Sequence, residues 1–455
     1  MSDNLTATRR DFLKGSAGVA AGVAMTGALV RPAGAYLQSS DEIKIALIGC
    51  GGRGTGAANQ ALSTKGPVKL IAVADAFEDQ ARNAIASLKG EHPDRVDVKD
   101  DNIFVGFDAY KHAIDCGIDL ILIATSPGFR PIHFEYAVQQ GKNIFMEKPV
   151  GTDGPGIRRV LTANEEAKKK NLKVAVGLQR HHQARYLETI KRIHDGALGG
   201  IDNGEIDLIR VYWNGTTPWV RPRHPNQTEM EYQMRNWYFF TWLCGDHIVE
   251  QHIHNLDVAN WLKNGHPVRA QGIGGRTVRN GPDHGQIYDH HYVEYTYADG
   301  TKVASQCRHW DNNSRDGDVS EHAYGVKGYS NVSAASMVFR DGKQWRFRWP
   351  GPGREPDPYQ VEHDDLFDAI RNDKPYNEAE YGAHSSMTAI LGRMATYSGK
   401  TVTWEQGLNS TLDLHPKIYD FKADAEVLWP DAEVRPVRGP DGVYPLPMPG
   451  VRRAF

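Results

Sequence analysis

Between Gly245 and Leu262 the chain runs GDHIVEQHIHNLDVANWL, three histidines and three acids within a single helix-length segment. Read as one helix that starts after Gly245 with Asp246 near its first turn, the 3.6-residue period puts His247, Glu250, His254, Asp257 and Trp261 on one face and turns His252 away. A polar stripe on an otherwise apolar helix is unusual for a core and suits the wall of a cleft. Three chemistries fit such a face. It can be a buried, hydrogen-bonded cluster with a structural role. His247, Glu250 and His254 together offer a ligand set of the type zinc takes. It can also move protons, since imidazole titrates near neutrality. Proton transfer is the favoured reading, and no metal is assigned.

A second chemical motif lies near the start of the folded region. IKIALI (43–48) is a short β-branched run, followed directly by GCGGRG with Gly49, Gly51 and Gly54 in the GxGxxG frame. The stretch 57–62 reads as helix, and VKLIAVA (68–74) as a strand ending in Asp75. In this frame the first glycine makes the tight turn, the second lets backbone approach a pyrophosphate, and the third allows close helix packing. The phosphates then sit on a helix N-terminus, where free N–H groups and the helix dipole favour an anion. A strand before, a helix after and an acid further on supply the context this motif requires. Asp75 is positioned to accept from the adenosine ribose hydroxyls and to repel a 2'-phosphate, which favours NAD over NADP.

The elements that must carry these residues alternate. A helix is expected around 79–88, a strand over 120–124 ending in Thr125-Ser126-Pro127, a helix over 133–140, and a strand NIFM leading into Glu147-Lys148-Pro149. Repeated strand–helix–strand units predict a doubly wound parallel sheet with ligands at the carboxyl ends of its strands, where Thr125, Ser126 and Lys148 fall. After a helix over 154–171 and a strand over 174–178, a strand over 207–213 opens a second sheet. A hairpin, HHYVEYTY-ADG-TKVASQCRHW, turns at Asp299-Gly300 within it. Helical segments are expected over 364–372 and 383–398, and a Pro-rich, charged tail follows Trp404 and is expected to wrap the surface or a neighbouring subunit.

With 455 residues the chain is long enough for two or three domains, and its 40% hydrophobic and 24% charged composition is that of a globular protein. A formal charge of -3, from 53 basic and 56 acidic residues, provides no global field for nucleic acid or an anionic membrane. Cys50, Cys116, Cys244 and Cys307 show no CxxC spacing and are expected as free thiols. At the N-terminus, TRRDFLK (8–14) precedes an uncharged Ala/Gly/Val stretch (17–30) and Ala33-Gly34-Ala35, an AxA cleavage site; the stretch is too short for stable membrane insertion. The segment resembles a twin-arginine signal, which implies export of an already folded protein and a periplasmic destination.

GCGGRG, ATSPGFRPIHFEYAVQQGKNIFMEKP and HIHNLDVANWL together resemble the Gfo/Idh/MocA family of glucose-fructose oxidoreductases and inositol dehydrogenases, over about residues 42–405. The resemblance implies a Rossmann domain followed by an α/β domain whose large, mainly antiparallel open sheet backs the active site and often mediates homo-oligomers. The corresponding spans are a signal at 1–35, a Rossmann domain at 42–160, a substrate and oligomerisation domain at 161–405 and a tail at 406–455. The family's EKP lysine is catalytic and matches Lys148; its acid–histidine pair matches Glu250 and His254, with Glu in place of Asp. Oxidising a secondary alcohol requires a base for the hydroxyl proton and a cation beside the developing alkoxide. His254 is therefore expected as base, Lys148 as the alkoxide partner and proton relay, and Glu250 as orienter of the imidazole. The expected cofactor set is Gly49, Gly51, Gly52, Arg53, Gly54, Asp75, Thr125, Ser126, Pro127, His133, Glu147 and Lys148. The resemblance puts the end of the 174–178 strand near the substrate and so makes Arg180 and His181 expected hydroxyl binders; Arg235, Asn236 and Trp237 are expected contacts because aromatics with Arg and Asn suit a sugar, and His247 joins them.

Outside the cytoplasmic membrane little free NAD is available, so an exported enzyme of this kind is expected to carry its nucleotide bound and regenerate it in place. Two cycles meet that requirement: oxidation of a sugar with return of the hydride to a second carbonyl compound, or a redox-neutral glycoside hydrolysis through a transient keto-sugar. A sensor that binds sugar or nucleotide without catalysis is the third reading.

Overall fold

A computed structural model describes residues 41–200, 206–310, 316–451 and 453–455. The expected signal at 1–35 lies outside the described residues. The glycine-flanked run IKIALI forms β1 (Ile43–Ile48) and begins a six-stranded sheet with β2 (Val68–Asp75), β3 (Ile103–Val105), β4 (Leu120–Ile123), β5 (Asn143–Met146) and β6 (Val174–Val176). All pairings are parallel and the order is β3-β2-β1-β4-β5-β6. The sequence order reverses direction between β1 and β4, and a ligand crevice opens at such a switch point. Each residue of β4 is fully buried, which is why these strands are continuous apolar runs rather than alternating ones.

This sheet extends beyond the span expected for it. Its sixth strand lies past residue 160, and helix Pro358–Arg371, remote in sequence, buries Leu366, Phe367 and Ile370 in the apolar cluster that contains Ile43, Leu47 and Leu122. The apolar face of β1 and β4 is covered by the segment that reaches it in space, whatever its position along the chain.

The second sheet contains β7 (Ile206–Thr216), β8 (Arg269–Gly275), β9 (His290–Thr296), β10 (Lys302–Trp310), β11 (Asp318–Gly325), β12 (Gly328–Asn331), β13 (Ser336–Phe339), β14 (Gln344–Arg346) and β15 (Val402–Thr403). They are ordered β14-β13-β12-β11-β7-β10-β9-β8-β15, with only β7 and β10 parallel. The hairpin of β9 and β10 runs in register from Thr296↔Lys302 to His290↔Arg308, around the expected turn. Helix Ala379–Ser398 packs against β8 and β9 on one side and helix Gly154–Lys169 on the other, and so is buried on nearly every face. Two α/β layers result, a parallel nucleotide-type sheet and a mainly antiparallel open sheet.

The polar segment is not one helix. Gly245 and Asp246 both adopt positive φ (79° and 77°), and the segment then forms two pieces, His247–Glu250 and Ile253–Lys263. The Asp246 carboxylate accepts from the His247 backbone N–H (2.5 Å) and faces its Nδ1 (2.9 Å), which draws that imidazole into the interior. The kink at Gln251–His252 separates the face of His247 from that of His254.

Candidate active site

A cavity of about 600 Å³ runs from the glycine loop to the second sheet. Its lining includes Gly49, Gly51, Gly52, Arg53, Gly54, Asp75, Thr125, Ser126, His133, Glu147, Lys148, Arg180, Glu250 and His254, so most of the expected residues meet in one place. The three glycines differ in a way a dinucleotide requires. A Cβ on Gly49 (φ +87) would lie 2.5 Å from the Thr125 nitrogen, and one on Gly54 would lie 1.9 Å from the Gly49 oxygen, whereas one on Gly51 would meet nothing within 4 Å. The outer two are needed for chain packing; the middle one leaves backbone open at the start of helix Gly52–Leu62, where an anion is stabilised. The residues present therefore fit a dinucleotide.

Asp75 ends β2 at the cavity wall. Its carboxylate accepts from the backbone N–H of Cys50 (2.7 Å) and of Phe77 (2.9 Å). Burial raises its pKa and these two donors oppose the rise. Glu147 is held below the ordinary carboxylate range: burial alone would raise it, but Arg53, Lys148 and Arg130 outweigh that. Arg53 donates to Glu147 through Nε and lies over the Tyr359 ring, 5.0 Å from its centroid. His133 faces the Thr125 hydroxyl at 3.3 Å and stacks on Phe129; burial keeps it neutral, with a pKa of about 3. Pro127 opens the short turn after Ser126 and does not line the cavity, a correction to its expected cofactor contact.

At the other end, the Lys148 ammonium donates to the Glu250 backbone oxygen (2.8 Å) and to Oε1 of its carboxylate (3.0 Å), with both side chains about nine-tenths buried. Glu250 thus orients the lysine rather than His254, which corrects its expected role; its Oε2 has no partner among the described residues. His254 stacks on Trp213 at 6.0 Å, and its Nδ1 likewise lacks a partner among the described residues. Burial first, then the charges of Lys148 and Arg180, hold it well below its ordinary pKa. A neutral imidazole and a tethered ammonium therefore share one wall.

The expected substrate contacts divide. Arg180 lines the cavity and is paired with buried Glu321, which also accepts from Tyr186 (3.0 Å) and Asn255. Trp237 lines it too, edge-on to Trp219. The other four are corrections. His181 is stacked between Trp261 (4.0 Å) and Tyr381 (4.5 Å) and bonded to Asp257, away from the lining. Asn236 is fully buried, bonded to the Arg221 backbone, Tyr232 and Asp283. His247 is fully buried beside Asp246, with the His291 and His309 rings at 4.8 and 4.7 Å. Asp246, His247 and His291 could be spanned by a metal, but the Asp246 oxygens already accept from His247, the Tyr288 N–H and the Tyr397 hydroxyl. Arg235 lines the cavity within electrostatic reach of Asp75 and is committed to Asp79. Phe77, Tyr110, Phe129, Arg130, Trp213, Trp219, Gln251 and Tyr359 line the cavity without having been expected there. Trp213 and Phe77 had a usable signal: each lies at or just beyond the end of a predicted strand.

Residues 43–178 match the model of the oxidoreductase family with an NAD-binding Rossmann fold (Gfo/Idh/MocA), and residues 6–26 that of the twin-arginine translocation signal. The first match covers the parallel-sheet part of the chain, which is thus similar to the NAD-binding part of the Gfo/Idh/MocA oxidoreductases. Inositol 2-dehydrogenase of Rhizobium meliloti (strain 1021) is 27% identical over 226 residues, 50% of this chain and 56% of that protein. The Ralstonia nicotianae inositol 2-dehydrogenase is 28% identical over 272 residues, 57% and 66%. The chain thus spans roughly half to two thirds of the length of the curated relatives it matches. Among solved structures, levoglucosan dehydrogenase in complex with NADH and levoglucosan superposes with a TM-score of 0.61 at 17% identity, covering 80% of this chain and 100% of that one. The aldose-aldose oxidoreductase of Caulobacter crescentus gives 0.60 at 17% identity with the same coverage. At these identities the superpositions establish a shared fold. Among the described residues no helix is long and apolar enough to cross a membrane.

Proposed function

We propose that this protein is an NAD(H)-dependent oxidoreductase of a secondary hydroxyl on a sugar, glycoside or polyol, exported to the periplasm with its nucleotide bound and recycled in place. The observation that carries this reading is the arrangement of Lys148, paired with Glu250, and neutral His254 on one wall of the cavity that begins at the glycine loop. NAD, when bound, supplies the hydride acceptor. His254 takes the hydroxyl proton as the carbinol C–H bond breaks, and the Lys148 ammonium steadies the alkoxide charge that develops before the carbonyl forms. Glu250 fixes the direction of that ammonium through two contacts, so little reorganisation is needed during the reaction. Trp213 offers a ring face beside His254, and Arg180, rigidly paired with Glu321, offers donors to substrate hydroxyls. Asp75 accepts from the ribose hydroxyls and disfavours a 2'-phosphate. Thr125, Ser126, His133, Glu147 and the loop of Gly49 to Gly54 complete the nucleotide site. The open sheet offers a self-association surface: Ile273, 75% exposed, stands in register with exposed Tyr292.

The test is to purify the mature protein, measure bound nucleotide by absorbance and fluorescence, and add a panel of polyols, aldoses and glycosides. NADH forming with one of them, and a second carbonyl compound consuming it, is the expected result. Glycoside cleavage without net NADH would replace the reading with the redox-neutral hydrolase, and silence toward every compound would leave a sensor.

A further inference from the structure

The dinucleotide cavity is roofed at its Asp75 end by chain from far outside the Rossmann sheet. Arg235 ends helix Glu229–Arg235, yet its guanidinium makes a bidentate pair with Asp79, 156 residues away, at 2.8 and 2.9 Å. The same guanidinium lies over the face of Phe77, 3.8 Å from the ring centroid. Phe77 lies two residues past the acid that ends β2, caps helix Glu78–Glu91 and lines the cavity, as do Met234 and Trp237 on either side of Arg235. From the other side the C-terminal tail closes in: Phe421 packs on Phe77 (5.6 Å) and Phe107 (4.5 Å), and Tyr419 packs on Phe107 (5.6 Å) and Phe129 (5.3 Å). Phe77, Phe107 and Phe129 are all lining residues, so near Asp75 the cavity is bounded by Met234, Arg235 and Trp237 of a remote segment, and the tail backs its aromatic lining from outside.

We propose that Arg235 is a latch: its contact with Asp79 and Phe77 holds the roof over the adenosine half of the bound dinucleotide, and opening of that contact limits nucleotide release. This rests on the reading of the cavity as a dinucleotide site, and it gives a structural basis for a nucleotide that stays bound through export. A planar guanidinium can meet a carboxylate with two donors while covering a ring with its face, and lysine can do only part of this. The latch itself is only partly buried, with the Arg235 side chain 26% exposed, so it can open without unfolding a core.

The experiment uses the full mature chain loaded with NADH and follows dissociation by loss of nucleotide fluorescence after a chase with excess NAD. Arg235→Ala is expected to raise the dissociation rate about tenfold, with the melting temperature of the nucleotide-free protein unchanged, and Arg235→Lys to recover part of the loss. Asp79→Ala is expected to raise the rate similarly, and the double variant to add nothing to the larger single effect, because the two residues act through one contact. Raised ionic strength should speed release from the wild type and leave Arg235→Ala unmoved. A rate within twofold of wild type in Arg235→Ala and Arg235→Lys, or additive single effects, overturns the latch. A wild-type protein that binds no NADH overturns both the latch and the reading it rests on; one that binds NADH and oxidises no polyol overturns only the proposed reaction.

Discussion

At the Lys148 end of the cavity the polar side chains are about nine-tenths buried and each is held in place: Lys148 by Glu250, Arg180 by Glu321, and His254 against the partly buried ring of Trp213. At the Asp75 end the walls are Phe77, Phe107 and Arg235, the last in a partly exposed ion pair with Asp79, and Tyr419 and Phe421 of the tail pack against those rings. On the proposed reaction the first end keeps charge fixed while bonds change, since an ammonium in a low-dielectric wall acts strongly on a developing alkoxide. The other is built to open and shut. The contrast teaches that burial and chemistry go together here, while retention of a ligand is assigned to contacts cheap enough to break.

The largest effects are expected at the buried end. His254→Ala should lower kcat by about 10²–10⁴, the usual range for loss of a general base, and Lys148→Ala by about 10²–10³. NADH titration followed by fluorescence should show nucleotide still bound in both variants. Because His254 is held well below its ordinary pKa, the wild-type rate contributed by this base should stay level as pH falls from 8 to 6, where an unshifted histidine would already be losing its free form. A rate that drops by half near pH 6.5 would place a different base in the role. Loss of nucleotide in Lys148→Ala would erase the division between the two ends.

Much of this arrangement was legible in the sequence, and the division between ends explains which part. The parallel sheet and the glycine turn follow from local patterns, β-branched runs and a fixed GxGxxG frame, while Lys148, Glu250 and His254 were singled out mainly by the family resemblance of the EKP tripeptide and the acid–histidine pair. The roles within the site were less accessible. A helical wheel places His247 beside His254 only if the helix is unbroken, and the positive φ at Asp246 and the kink at Gln251–His252 depend on buried partners such as Tyr288 and Tyr397 that no periodicity reveals. Arg235 looked like a sugar ligand because it stands among aromatics; its partner Asp79 lies 156 residues earlier, and only folding brings the pair together. Sixth-strand and helix contributions to the Rossmann layer were misjudged for the same reason.

A smaller effect sharpens the account of the roof. The tail that carries Tyr419 and Phe421 is tied down at His415, whose Nδ1 faces Asp153 Oδ2 at 3.3 Å and Asp413 Oδ1 at 3.1 Å. Burial disfavours its charged form, but the two carboxylates override this and raise its pKa to about 9. A folded-state value above the unfolded one, near 6.5, means that this tether is fully present below about pH 6.5 and is lost as pH rises through 9. His415→Asn should therefore cost stability at pH 7, by up to about 3 kcal/mol from linkage, and much less at pH 10. Melting curves of both proteins at the two pH values measure the difference, and a gap that persists at pH 10 would mean the histidine holds the tail by packing rather than charge.

The smallest expected effect concerns which nucleotide the roofed end accepts. On the proposed reading the Asp75 carboxylate, fixed by the backbone donors of Cys50 and Phe77, would face the ribose hydroxyls and oppose a 2'-phosphate. The Arg235 charge acts on this acid, but two of its N–H groups are committed to Asp79. Removing the carboxylate with Asp75→Ala should weaken NADH and spare NADPH, narrowing the preference by about tenfold, roughly 1.4 kcal/mol. Combining it with Asp79→Ala should free the Arg235 guanidinium for a phosphate and carry NADPH further, since arginine meets phosphate as readily as carboxylate. Fluorescence titrations of the two variants with both nucleotides decide this. If Asp79→Ala leaves NADPH affinity unchanged in the Asp75→Ala background, Arg235 is too far from the ribose to act on it, and its role is confined to holding the roof.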